Sequence, residues 1–81
     1  MKGKKVVRVG TKVKVEITGP KMNSPEQISF TLTDDERLQH SPGKVHVDSP
    51  LGRCIIGQPV GFQGEYAVLA SNLKVVILKI E

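Results

Sequence analysis

Tryptophan is absent from these 81 residues, and only Phe30, Phe62 and Tyr66 are aromatic. Three scattered rings exclude a stacking platform for single-stranded nucleic acid, which needs successive aromatic faces. They are read as core residues. There is one cysteine, Cys54, so no disulfide can close within the chain, and a reducing, cytoplasmic setting is expected. No apolar run approaches the ~20 residues of a membrane span. The basic start, Met1 to Lys5, is followed by no apolar stretch of signal-peptide length. Cys54, His40 and His46 do not supply the four ligands of a zinc site at finger-like spacing. Asp34, Asp35 and Glu36 offer hard oxygen ligands, but three consecutive acids seldom converge on one ion unaided. They are read as a solvated loop. No catalytic, cofactor or metal residue is assigned, and no enzyme is expected.

What is present is a globular balance, 38% hydrophobic and 25% charged, long enough for one core and no more. The apolar residues are mostly valine, isoleucine and leucine. β-Branched side chains crowd a helix and pack well on a pleated sheet, so the bias favours strands. The net charge of +4 is unevenly placed. Seven basic residues precede position 22 against Glu16 alone, while the remainder is net acidic. Such a segment reads first as a solvated strand face with a basic tail, and secondly as a weak nucleic-acid contact.

Val9, Thr11, Val13, Val15 and Ile17 alternate with Arg8, Gly10, Lys12, Lys14 and Glu16. Side chains alternate faces along a strand, so this predicts a half-buried strand closed by Gly19-Pro20. Ile28, Phe30 and Leu32 repeat the pattern, and Lys44 to Val47 predicts a short third strand. Asp48-Ser49-Pro50 starts a helix. A Ser or Asp oxygen can accept from the open amides of the first turn, and proline tolerates the first helical position. Leu51, Cys54 and Ile55 share one helix face, and Gly57 ends it. Tyr66, Val68 and Ala70 predict one face of a fourth strand, with a turn at Ser71-Asn72. The apolar run Val75-Val76-Ile77-Leu78 predicts an interior strand. The expected architecture is α+β: a twisted antiparallel sheet of about five strands wrapped around one short helix, with residues 1–5 a flexible basic tail and 6–81 the domain.

The segment Val45-His46-Val47-Asp48-Ser49-Pro50-Leu51-Gly52-Arg53-Cys54-Ile55-Ile56-Gly57 closely resembles the carboxy-terminal domain of bacterial Gre-type transcription factors (GreA/GreB). Thr33-Asp34-Asp35-Glu36, Gln58-Pro59-Val60-Gly61 and the final Leu78-Lys79-Ile80 resemble its flanks. The resemblance covers roughly Val6 to Ile80. It implies an FKBP-like fold and a partner, bacterial RNA polymerase. In that family the domain docks on the coiled-coil tip of the β′ subunit beside the secondary channel. The acidic-Ser-Pro turn maps onto Asp48, Ser49 and Pro50, with Arg53 in support. The family's amino-terminal coiled coil, which carries the acidic tip for RNA cleavage, has no counterpart among these residues. The hairpin tip, Gly-rich in the family, is here Ala70-Ser71-Asn72.

The leading expectation is a monomeric module that docks on polymerase without stimulating cleavage. The alternatives are an FKBP-like prolyl isomerase or chaperone-type peptide binder, resting on fold analogy alone, and a basic nucleic-acid-binding module.

Overall fold

Period-two alternation becomes burial in β1 (Lys12–Thr18), where Val13 and Val15 are enclosed and Lys12 and Lys14 face solvent. In the computed structural model, residues 5–38, 41–69 and 71–81 are described. The other elements are β2 (Glu26–Thr33), β3 (Lys44–His46), helix α1 (Pro50–Ile55), β4 (Gln63–Val68) and β5 (Ser71–Ile80). A 3-10 turn, Glu36–Leu38, interrupts the β2–β3 connection. The strands form one sheet in the order β3-β2-β1-β5-β4. The α+β class and the five-strand, one-helix plan therefore hold. Residues 1–4 of the expected tail, His40 and Ala70 lie outside the described residues.

The sheet is mixed and not wholly antiparallel: β3 runs parallel to β2, with Leu32 opposite Val45. A parallel neighbour needs a crossover connection and not a hairpin. The polar stretch after Thr33, with its 3-10 turn, provides it. The first strand starts at Lys12, later than the alternation implies. Gly10 adopts a positive φ of 88° and Val9 is 45% exposed, because a turn there lets Thr11 N–H donate to the Arg8 carbonyl at 3.0 Å. Ser71 and Asn72 belong to β5. Val68 pairs with Ser71, so the hairpin closes through a two-residue loop that begins at Leu69.

Among the described residues, nine side chains form the core: Val7, Val13, Val15, Phe30, Leu32, Ile55, Val75, Ile77 and Ile80. Each stabilises the fold by about 1.5–3 kcal/mol relative to an exposed position. A bulge reconciles β5 with this core. Val13 faces Ile80 and Val15 faces Ile77, so one extra β5 residue is accommodated and both isoleucines point inward. Val7 joins the core from outside the named strands. Its N–H donates to the Gln58 carbonyl at 3.0 Å, and its own carbonyl accepts from Gly57 N–H at 2.8 Å. This clasp ties the start of the domain to the end of α1.

Candidate functional site

The bend between β3 and α1 is built on two acceptors. The His46 carbonyl accepts from Ser49 N–H at 3.0 Å and from Ser49 Oγ at 2.7 Å. Ser49 Oγ in turn accepts from Gly52 N–H at 3.1 Å, which makes Ser49 the N-cap, with extended backbone and Pro50 at the first helical position. His46 Nδ1 accepts from Asp48 N–H at 3.1 Å. That bond requires a lone pair on Nδ1, so the neutral ring carries its proton on Nε2. Nε2 is buried and has no partner among the described residues.

Gly52 explains why the helix carries glycine where alanine would be the better helix former. A Cβ there would run into the His46 carbonyl oxygen and stand 2.9 Å from that of Val47. The helix thus presses its backbone onto the end of β3. Gly64 plays the matching part on β4, where a Cβ would lie 2.7 Å from Cys54 Sγ. Cys54 sits at this α1–β4 contact, with Sγ 3.6 Å from the Glu65 carbonyl that accepts from it. Burial pushes the Cys54 thiol up, and burial, with Cys54 nearby, pushes the Tyr66 phenol up.

An open groove of about 610 Å³ lies beside the bend. Ile17, Ile28, Val45, Leu51, Tyr66 and Val68 supply its apolar walls, and Glu36, Lys44, His46, Asp48, Ser49 and Pro50 its rim. Asp48 and Pro50 are exposed and Ser49 is half-buried, so the bend faces outward. Of the four residues singled out from sequence, Asp48, Ser49 and Pro50 come together on this rim. Arg53 is exposed on the same helix but does not line the groove. Sequence reasoning missed the walls. Ile17 and Ile28 fall on the alternating apolar faces of β1 and β2, and Tyr66 and Val68 on one face of β4, and near the strand ends these faces look into the groove. The signal available was their place at the ends of β1, β2 and β4, past the helix that covers the core.

The acidic run after β2 is organised within itself. Arg37 Nη2 donates to Asp35 Oδ2 at 2.9 Å, and Arg37 Nε and N–H donate to Oδ1. These bonds, the side-chain ones first, hold the Asp35 carboxyl below the usual carboxylate range. No group of acidic, histidine or cysteine side chains suited to a metal ion is found among the described residues. No described helix is long and apolar enough to cross a membrane.

The family described as "Transcription elongation factor, GreA/GreB, C-term" matches residues 2–81. Several solved structures share the fold. The transcription factor Gfh1 superposes with a TM-score of 0.73 at 20% identity, over 98% of this chain and 49% of that one. A GreA/GreB elongation factor from Nitrosomonas europaea gives 0.68 at 22% identity, over 93% and 59%. Gfh1 of Thermus aquaticus gives 0.68 at 20% identity, over 96% and 49%. The chain therefore spans about half the length of these structures. No curated protein matches it. With the match running from residue 2 to the final Glu81 and the fold in agreement, the chain belongs to the GreA/GreB C-terminal domain family of transcription elongation factors.

Proposed function

We propose that this domain is a docking module for bacterial RNA polymerase, seated on the β′ coiled-coil tip beside the secondary channel, and that it modulates transcription by occupancy. The observation that carries the reading is the outward bend Asp48-Ser49-Pro50 at the rim of an apolar groove. Pro50 and Leu51 offer apolar contact to the turn of a helical hairpin, and Asp48 offers a carboxylate to a cation beside it. Arg53, one turn further along α1, reaches a carboxylate on the partner's flank. On this reading the domain contributes docking and not cleavage, in keeping with α1, the only described α-helix, being six residues long.

Titration of the chain against core polymerase is the test. The expected result is binding in the micromolar range that weakens at least tenfold in Asp48→Ala and Pro50→Ala. Absence of binding at tens of micromolar, or binding indifferent to both substitutions, refutes it.

A second reading is a weak nucleic-acid contact on the opposite face of the sheet. Lys14 stands directly across from Lys79, with Lys12 two residues away, and all three are exposed. Like charges opposed on a sheet face repel, and a phosphate between them relieves the repulsion.

A further inference from the structure

Three consecutive amides fix the path of the bend. Val47 N–H donates to the Thr33 carbonyl at 2.8 Å, beside the parallel pairing of β3 with β2. Asp48 N–H donates to His46 Nδ1 at 3.1 Å, and Ser49 N–H donates to the His46 carbonyl at 3.0 Å. His46 thus receives two of the three, one on its ring and one on its backbone. The backbone bond is open to any residue at this position. The ring bond needs a side-chain acceptor two residues before Asp48, which is the geometry asparagine or aspartate supplies in an Asx turn. In other respects the seat suits a histidine badly. Nε2, which carries the proton of the neutral ring, is buried without a partner among the described residues, and an unpaired buried donor costs free energy.

We infer that His46 is the positioning residue of the docking surface: its neutral imidazole fixes the backbone at Asp48, and with it the direction in which the Asp48 carboxylate leaves the bend, so that docking requires the unprotonated ring. This inference rests on the docking reading above.

The chemistry of the ring gives the sign. An imidazolium donates from both nitrogens and accepts at neither. A proton on Nδ1 would face the Asp48 N–H, donor against donor, so the protonated ring must leave its seat and release Asp48. Other charged groups surround the ring. Glu36, Lys44 and Asp48 line the groove with it, and Asp35, paired with Arg37, precedes the 3-10 turn that packs against β3. From β2 the uncharged Thr33 stands opposite it, and Arg53, the one charge of α1, lies outside the groove. The carboxylates attract an imidazolium and Lys44 repels it, but none of them accepts from the Asp48 N–H. Docking therefore weakens as pH falls through the range in which histidine side chains ordinarily gain their charge.

The experiment titrates the whole chain, His46→Asn and His46→Leu against core polymerase at about pH 7.5 and about pH 5.5, a range in which ordinary carboxylates stay ionised. Wild type is expected to bind about fivefold more weakly at the lower pH, the equivalent of one hydrogen bond. His46→Asn keeps an acceptor that does not titrate, and is expected to match wild type at the higher pH and to lose the dependence. His46→Leu has no acceptor and is expected to bind about fivefold more weakly than wild type at the higher pH, with no further loss at the lower. Thermal melting checks that each variant is folded. An NMR titration of the wild-type chain alone needs no variant: the Asp48 amide proton is expected to move upfield together with the His46 ring signals. A stationary Asp48 amide overturns the inference. So does wild-type affinity that ignores pH, a His46→Asn chain that loses affinity with pH as wild type does, or a His46→Leu chain that binds like wild type, and each of these leaves the docking reading standing. A wild-type chain that binds at neither pH overturns both.

Discussion

Ser49 holds more of the bend than its size suggests. Its hydroxyl donates to the His46 carbonyl and accepts from Gly52 N–H, and its own carbonyl accepts from Arg53 N–H at 2.9 Å. Ser49→Ala removes the two side-chain bonds and is expected to destabilise the domain by about 1 kcal/mol, the usual cost of losing an N-cap. Gly52→Ala poses a sharper contest. Alanine gains up to about 1 kcal/mol of helix propensity. Its Cβ, however, meets the backbone carbonyls of His46 and Val47, which have no side-chain freedom with which to move aside. Overpacking of this kind costs about 1–3 kcal/mol, so net destabilisation is expected. Urea denaturation of both variants measures the two effects. An unchanged midpoint in Gly52→Ala contradicts the close approach of α1 to β3.

The contact between α1 and β4 is where element packing and titration meet. Cys54 and Tyr66 both lie at it, and both are held in their neutral forms by burial. The folded pKa of each lies above the unfolded one, so the stability they contribute is complete below the unfolded value and is lost as pH rises through the folded one. The window opens near pH 8.5, the ordinary thiol range. The melting temperature is expected to fall above that pH, and less steeply in Cys54→Ala. Alkylation of Cys54 at pH 8 is expected to be slower than that of a free thiol. Much of this packing was legible in the sequence. Leu51, Cys54 and Ile55 share the helix face because three and four residues span one turn, and Ser49 and Gly57 bound the helix for reasons of local geometry. The parallel pairing of β3 was not legible. Val45 and Val47 alternate in the same way whichever direction the neighbouring strand runs, and only the connection decides. The place of the β4–β5 turn escaped notice for a related reason. Ser71-Asn72 has the better turn chemistry, but the pairing of Tyr66 with Leu73 sets the register and moves the turn two residues back. Of the candidate site, the rim was readable as a motif. The walls were not, because an isoleucine facing an open groove and one facing a core leave the same trace in an alternating pattern.

At the scale of the whole molecule, three lysines gather on one face of the sheet. Lys12, Lys14 and Lys79 lie there, with Glu16 further along β1, while the groove opens beside the other face. A polyanion bound to the lysines must show affinity that falls with salt. Replacing Lys14 and Lys79 by glutamine is expected to reduce the slope of log K against log salt by about 1.4 for single-stranded nucleic acid. Binding measured between low and physiological salt checks this, and an unchanged slope removes the lysine face from consideration. β1 also sets a direction for the molecule. At one end Ile17 lines the groove, and at the other the Lys12 carbonyl accepts from Glu81 N–H at 2.9 Å, not far in sequence from the Val7 clasp on Gln58. Five residue steps of strand, roughly 17 Å, separate Ile17 from Lys12. Glu81 therefore lies at the end of β1 away from the groove. A segment grafted after it would be carried to the partner like a tool on a handle, free to project elsewhere while the grip is engaged.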